Sequence, residues 1–376
     1  MTPSPSSFWS PGDEPGHRKF VTLTAPDEQP FRLEGGGSLD TVTVAYETWG
    51  TLNADKTNAV LVLHALTGDS HAFGEIEPGH VTDGWWNGVI GPGLGIDTDK
   101  FFVVCPNVLG ACQGTTGPSS LASDGKPFGS RFPVITIRDQ VAVEVAFTDH
   151  LNIASWAGVV GGSMGGMRVL EWAVGFPQRT GHAVVLAVGA AATADQIALS
   201  SLQNRAIRAD PNFAGGNYYA NDRGPDEGLA IARGLGQFTY RTGTEFEIRF
   251  GRQLQIESDV VGESPYAIES YLSYHGEKLG ARFDPNSYIV LSDAMNHHDV
   301  GRGRGGVEAA LKSVPIPVSV AGIVSDRLYP LALQERLAEL LPYAQPLEII
   351  TSDFGHDGFL LEVEQVSNVI AMALQQ

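Results

Sequence analysis

Cysteine is nearly missing from this 376-residue chain: Cys105 and Cys112 are the only two, and neither belongs to a Cys-x-x-Cys or Cys/His cluster. A disulfide scaffold and a zinc site of the common kinds are therefore excluded, and a reducing compartment, the cytoplasm, is expected. Basic residues are scarce as well, 24 Lys and Arg against 43 Asp and Glu, for a formal net charge of −19 and a pI near 4.8. Such a surface repels nucleic acid and anionic membranes, so small-molecule substrates are expected, and any phosphate they carry needs a local basic patch. No stretch reaches about 18 uninterrupted apolar residues, so no membrane-spanning helix is expected. Residues 1–18 are rich in Ser and Pro without an apolar run, which predicts a disordered start and no secretory signal. Internal repeats are absent too.

What is present is a hydrophobic fraction of 43%, enough for one large core or a core with an inserted subdomain, since domains usually run to about 250 residues. Stretches 20–24 and 42–46 alternate like half-buried antiparallel strands at a sheet edge. Stretches 58–64, 101–105, 157–160, 183–188, 318–324 and 347–351 are continuous apolar runs, the pattern of strands covered on both faces. Helical spacing over 138–151 and 164–175 falls between them, which defines a mostly parallel, doubly wound α/β sheet. Residues 19–192 and 313–376 form the expected core domain. Residues 193–312 change character, with amphipathic stretches 195–208 and 225–236 and no buried strand. They are expected to form a helical lid inserted after the sixth main strand.

The core is organised around 156–176, an apolar strand, a glycine turn and a helix that stops at Phe176-Pro177. Gly161-Gly162-Ser163-Met164-Gly165 fits the Gly-x-Ser-x-Gly elbow, where a strained strand-to-helix turn exposes a nucleophilic serine and glycines clear the neighbouring backbone. A phosphate-cradling loop is disfavoured, because no Gly-Lys-Ser/Thr follows and the glycine spacing is not Gly-x-Gly-x-x-Gly. Asp326 sits past the strand 318–324, and His356 past the last strand. The order Ser163, Asp326, His356, each in a post-strand loop, is that of the α/β-hydrolase triad. A backbone N–H near Leu66 or Thr67 is placed to pair with that of Met164 as an oxyanion hole. His64 and His71, on the same loop, are expected to serve packing.

Together with Val44-Ala-Tyr-Glu-Thr-Trp-Gly-Thr-Leu-Asn53, His64-Ala-Leu-Thr-Gly-Asp-Ser-His71, 106–118, 161–172, Phe283-Asp-Pro-Asn-Ser-Tyr288, Gly301-Arg-Gly-Arg-Gly-Gly306 and Gly355-His-Asp-Gly-Phe-Leu360, these residues resemble the homoserine O-acyltransferases of methionine biosynthesis in their α/β-hydrolase form, most closely the acetyl-transferring branch. The resemblance implies a nucleophile at Ser163, an acid at Asp326, a base at His356 and oxyanion N–H groups at Leu66 and Met164. It places contacts to the amino acid on Thr67, Arg233, Tyr240 and Asp357. It implies transfer of an acetyl group from acetyl-CoA, as co-substrate and with no bound cofactor or metal, to L-homoserine through an acetyl-serine, in a homodimer joined through the lid. Arg233 would meet the substrate carboxylate and Asp357 its ammonium, because burying either charge without a partner costs several kcal/mol, on the order of the figures for buried ions. Ala111, Gly358 and Asn296 depart from the pattern expected of that family, and Ala111 leaves the acyl preference open. Succinyl-CoA or L-serine as substrate, a plain serine esterase, and a binding module with a vestigial triad remain the alternatives.

Overall fold

The computed structural model describes residues 8–25, 29–257, 260 and 262–375. Apolar runs without polar alternation need cover on both faces, and the chain stacks them side by side. The main sheet contains β1 (Lys19–Leu23), β2 (Val42–Trp49), β3 (Ala59–Leu63), β4 (Phe102–Pro106), β5 (Gly158–Gly162), β6 (Ala183–Leu186), β7 (Val318–Ile323) and β8 (Glu348–Ile350). Their order across the sheet is β1-β2-β4-β3-β5-β6-β7-β8. β1 with β2 and β2 with β4 are antiparallel, and the remaining neighbours run parallel. Every residue of β3, β5, β6 and β7 is buried.

Helices supply the cover. α1 (Ile137–His150) starts at a capping box in which Thr136 accepts the Asp139 N–H and Asp139 returns the bond to the Thr136 N–H. α2 (Met164–Gly175) is buried along nearly its whole length and ends where Pro177 cannot continue it. Between β6 and β7 come α3 (Ala194–Ala209), α4 (Asp226–Tyr240), α5 (Gly243–Arg249), α6 (Ala267–Gly280), α7 (Pro285–Asn296) and α8 (Val307–Lys312). α9 (Ala332–Leu340), α10 (Gly358–Leu361) and α11 (Val363–Leu374) complete the core. Strand alternation splits the interior in two: Leu61, Leu63 and Val159 pack with Phe147 and Leu170 on one face, and Val60, Val62 and Val160 pack with Val366 and Ile370 on the other. Leu170→Ala would cost about 2–5 kcal/mol, the range for emptying a filled core position.

The inserted helices cross the carboxyl edge of the sheet. α6 approaches α4 closely at Gly276, where a side-chain carbon would lie 2.8 Å from the Ala230 Cβ. The carboxyl end of α4 is fastened to the loops after β7 and β8, because Arg327 Nε donates to the Thr239 carbonyl at 3.4 Å and Thr242 Oγ1 donates to the Asp353 carbonyl at 2.7 Å. The return to the core is pinned by His298 Nε2, which donates to the Gly189 carbonyl at 3.0 Å.

One expectation needs correction. Residues 8–18 are not a disordered tail: Trp9 stacks on Phe20 with centroids 4.6 Å apart, and Arg18 is only 7% exposed. The apolar partners lie outside the Ser/Pro-rich stretch, so its composition concealed them. Residues 1–7 of the same expectation lie outside the described residues. Among the described residues no helix is long and apolar enough to cross a membrane.

Three buried imidazoles give this fold an acid limit. Burial holds His64 and His80 down to about 3 and His298 to about 4, helped at His64 by Arg168 and at His80 by Arg18. A histidine titrates at about 6.5 in the unfolded chain, so on acidification the unfolded state takes up these protons first. Their contribution to stability is present above that value and is lost as pH falls toward the folded values. His71, raised by its hydrogen bond to Glu47, opposes this more weakly. The thermal midpoint, followed by circular dichroism, should fall steadily between pH 7 and pH 5. A midpoint flat over that interval would contradict the neutral buried state of these rings.

Candidate active site

Ser163 follows the last glycine of β5 with φ 55° and ψ −125°, in the left-handed half of backbone space that a serine enters only when its surroundings enforce it. Two neighbours make the turn possible. A side chain at Gly161 would come within 2.7 Å of the Gly165 backbone, and one at Gly165 would collide with the Leu63 carbonyl. The Ser163 N–H donates to the Leu186 carbonyl at 3.0 Å, which fixes the turn to β6.

His356 lies in a short turn after β8, and its Nε2 is 2.9 Å from Ser163 Oγ. Its Nδ1 is 2.7 Å from Asp326 Oδ2, and the other oxygen of Asp326 accepts the N–H groups of Leu328 and Tyr329, each at 2.8 Å. The carboxylate is thereby aimed before it meets the ring. With Nδ1–H donated to Asp326, the lone pair of Nε2 faces the serine hydroxyl. Ser325 ties the two loops, because its Oγ donates to the Ser352 carbonyl at 2.5 Å and accepts the Gly355 N–H at 3.2 Å. Tyr329, Phe359 and Tyr240 surround the imidazole with ring centroids 5.0, 5.4 and 5.9 Å away. Ser163 and His356 are 7% and 3% exposed, so the relay is closed to bulk water.

The loop after β3 carries Leu66, buried, and Thr67, half-buried. Among the described residues, neither the Leu66 N–H nor the N–H of Met164 at the start of α2 has a backbone acceptor. The loop is held from beneath. Arg168 of α2 donates to the His64 carbonyl and, at 2.6 Å, to Glu144 of α1, whose second oxygen accepts from Trp172 at 2.8 Å. His64 accepts the Val108 N–H on Nε2 at 3.0 Å and donates from Nδ1 to the Ala65 carbonyl at 2.8 Å, a structural histidine with both nitrogens used. Ala111 is buried in the core below the neighbouring loop.

Of the predicted substrate contacts, Arg233 and Tyr240 lie on α4, with the guanidinium 5.5 Å from the Tyr240 ring centroid. Among the described residues the Arg233 guanidinium has no carboxylate partner. Asp357, next to His356, is engaged: Arg241 Nη1 lies 3.4 Å from its Oδ2. Arg241 is clamped in turn by both oxygens of Glu245 at 2.8 and 2.6 Å and lies over the Phe354 ring. Arg241 had no functional sign in the sequence; the only available signal was the Arg-x-x-x-Glu spacing at the start of a helix.

Glu47, His71 and His80 bring three potential metal ligands together among the described residues. The His71 Nδ1 donates to Glu47 Oε2 at 2.9 Å, and His80 Nε2 lies 3.7 Å from the same oxygen while accepting the His17 N–H at 3.1 Å. The two rings are stacked 3.8 Å apart and 11° from parallel. A metal lies near the plane of each imidazole at about 2.0–2.1 Å, and parallel planes so separated do not share such a point. The cluster is a hydrogen-bonded group that fixes the end of the loop bearing Leu66.

Fold and relay together define an α/β hydrolase. The family model for the α/β hydrolase fold matches residues 58–363, and the chain belongs to that family. The homoserine O-acetyltransferase of Thermobifida fusca is 55% identical over 371 residues, covering 98% of this chain and 96% of the relative. The crystal structure of homoserine O-acetyltransferase from Bacillus anthracis has a TM-score of 0.85 at 26% identity, covering 96% of this chain and 98% of that one. The crystal structure of esterase E22 matches equally well, with a TM-score of 0.85 at 27% identity over 95% of this chain and 100% of that one. Within the α/β hydrolases the chain belongs to the homoserine O-acetyltransferase family.

Ser163→Ala should leave the thermal midpoint within a few degrees, because it removes one oxygen at a turn, and should abolish labelling by a fluorophosphonate together with acetyl transfer. Retained labelling at wild-type rate would place the nucleophile elsewhere.

Proposed function

We propose that the protein moves an acetyl group from acetyl-CoA to the hydroxyl of L-homoserine through an acetyl-Ser163, the reaction that serves methionine biosynthesis. The observation that supports this most is the Ser163–His356–Asp326 relay, shut beneath an insertion that presents an unpaired Arg233. His356 takes the Ser163 proton as Oγ attacks the thioester carbonyl. The backbone N–H groups of Leu66 and Met164 receive the oxyanion, and Asp326 stabilises the imidazolium. CoA thiolate leaves with the proton from His356. The ring, neutral again, then accepts the proton of the homoserine hydroxyl as that oxygen attacks the acetyl-serine carbonyl; the intermediate collapses by breaking the bond from the carbonyl carbon to Ser163 Oγ, and His356 returns the proton to that oxygen. The scheme uses acetyl-CoA as a co-substrate and needs no bound metal or cofactor.

Homoserine enters a closed site as a zwitterion, so both its charges need partners. Arg233, its guanidinium 5.5 Å from the Tyr240 ring centroid, would fork two hydrogen bonds to the carboxylate. Asp357, whose carboxylate Arg241 holds in position, would meet the ammonium, and Thr67 would contact the amino acid from the loop after β3. Esterase E22 has a closely similar scaffold, so the fold alone does not choose between ester hydrolysis and transfer; the acceptor held against the acyl-serine would decide the product.

Two further features support parts of the reading. Ile231 and Phe238 of α4, each 50% exposed, Ile248 at 79% and Tyr274 at 57% leave large apolar side chains bare on the insertion, as a homodimer joined there requires. Buried free thiols at Cys105 and Cys112 fit the reducing cytoplasm.

Arg233→Ala and Asp357→Ala should each lower kcat/KM for homoserine by about 2–4 kcal/mol, since each strands a buried partner charge. Single-turnover release of CoA thiol, which reports the first half-reaction, should change far less. Equal losses in both half-reactions would assign these residues a structural role.

A further inference from the structure

A cavity of about 200 Å³ lies beside the oxyanion-side loop, walled by Trp9, Arg18, Asp69, His80, Gln113 and Arg282. Asp69 belongs to the loop that carries Leu66 and Thr67, and Arg282 is close enough to Arg233 for their charges to oppose one another. The cavity therefore shares a wall with the catalytic edge.

Its walls hold an unusual excess of unused donors. Trp9 Nε1 and Arg18 Nε are buried without any acceptor among the described residues. His80 Nε2 accepts the His17 N–H, so the neutral ring carries its hydrogen on Nδ1, and that atom is likewise buried and unpaired. Arg282 makes no side-chain hydrogen bond among the described residues, and burial lowers its pKa against the pull of Asp69. Folded chains rarely leave buried N–H groups without acceptors, and here Trp9 Nε1, Arg18 Nε and His80 Nδ1 line one cavity, which the half-buried Arg282 also lines. Arg18 itself is fixed, donating to the Gly79 carbonyl at 2.7 Å.

The negative groups do not cancel this. Asp69 stands between Arg18 and Arg282, which hold its carboxyl below the usual range, and it also accepts the His71 N–H at 2.9 Å. Asp13 and Glu14 are exposed at the rim, where water screens them, and Glu47 is satisfied by Ser70 and His71. Donors so grouped match the chemistry of an oxygen-rich anion. The space is large enough for a phosphate or diphosphate group.

We propose that this cavity binds a phosphate group of the acyl donor, with Arg282, Arg18 Nε and Trp9 Nε1 as its donors. The proposal rests on acetyl-CoA being that donor, and wild-type turnover of acetyl-CoA checks this separately. The test compares acetyl-CoA with S-acetyl-N-acetylcysteamine, an acetyl thioester that has no phosphate. Arg282→Gln should raise KM for acetyl-CoA by at least about tenfold, as expected for a lost charge-assisted hydrogen bond, and move KM for the phosphate-free thioester far less. Trp9→Phe keeps the stack on Phe20, removes one donor and should give a smaller shift in the same direction. Inorganic pyrophosphate should compete with acetyl-CoA in the wild type and lose that competition in Arg282→Gln. Equal rises in KM for both thioesters, an unchanged KM for acetyl-CoA, or pyrophosphate that binds by calorimetry without competing would each overturn the assignment.

Discussion

Arg168 is wholly buried, and the geometry of the catalytic edge depends on what it holds. It sits on the helix that begins at Ser163 and donates to the carbonyl of His64, where β3 gives way to the loop bearing Leu66. Ser163 and Leu66 follow different strands, and this guanidinium ties the helix that begins beside the one to the loop that bears the other. A cation so deep requires its anion close by, and Glu144 supplies it while also accepting from Trp172. Removing one member of such a pair costs about 3–5 kcal/mol because the other charge is left stranded. The ion pair thus locks α1, α2 and β3 into the one arrangement in which the strained serine faces His356.

The inserted helices act on the same edge from above. Gly355 has φ +63°, and a side chain there would meet the Tyr240 carbonyl at 2.6 Å, so the turn carrying His356 fits directly under the end of α4. Arg327 and Thr242 fasten that contact on either side. An acyl-serine is hydrolysed wherever water reaches it, and a transferase must place its acceptor there first. The end of α4 over His356 and an Arg233 without a carboxylate partner among the described residues belong to one helix, and in the proposed reaction that helix would serve both needs.

Much of this was legible in the sequence because its signals are local. The elbow and the continuous strands are each read within a few residues, and although Ser163 and His356 are 193 residues apart, each member of the triad is marked locally by its own post-strand loop. What escaped depends on pairs far apart in the chain. Arg168 and Glu144 are 24 residues apart, and Arg241 and Asp357 are 116 apart, so no spacing rule marks them. Arg168, Glu144 and Arg241 look like ordinary surface charges until the fold buries them. The start of the chain failed for a related reason: its Ser/Pro composition suggested disorder, while Trp9 and Arg18 find partners on Phe20 and Gly79.

The central claim is that an acetyl group resides on Ser163 and passes from there to homoserine and not to water. Intact-mass and peptide mass spectrometry of the wild-type protein mixed with acetyl-CoA alone, followed by addition of homoserine, tests it most directly. One acetyl group should appear on the peptide containing Ser163, persist while homoserine is withheld, and be recovered as O-acetylhomoserine once it is added. An enzyme that never carries the acetyl group, or one that releases acetate at the same rate whether or not homoserine is present, would contradict the account.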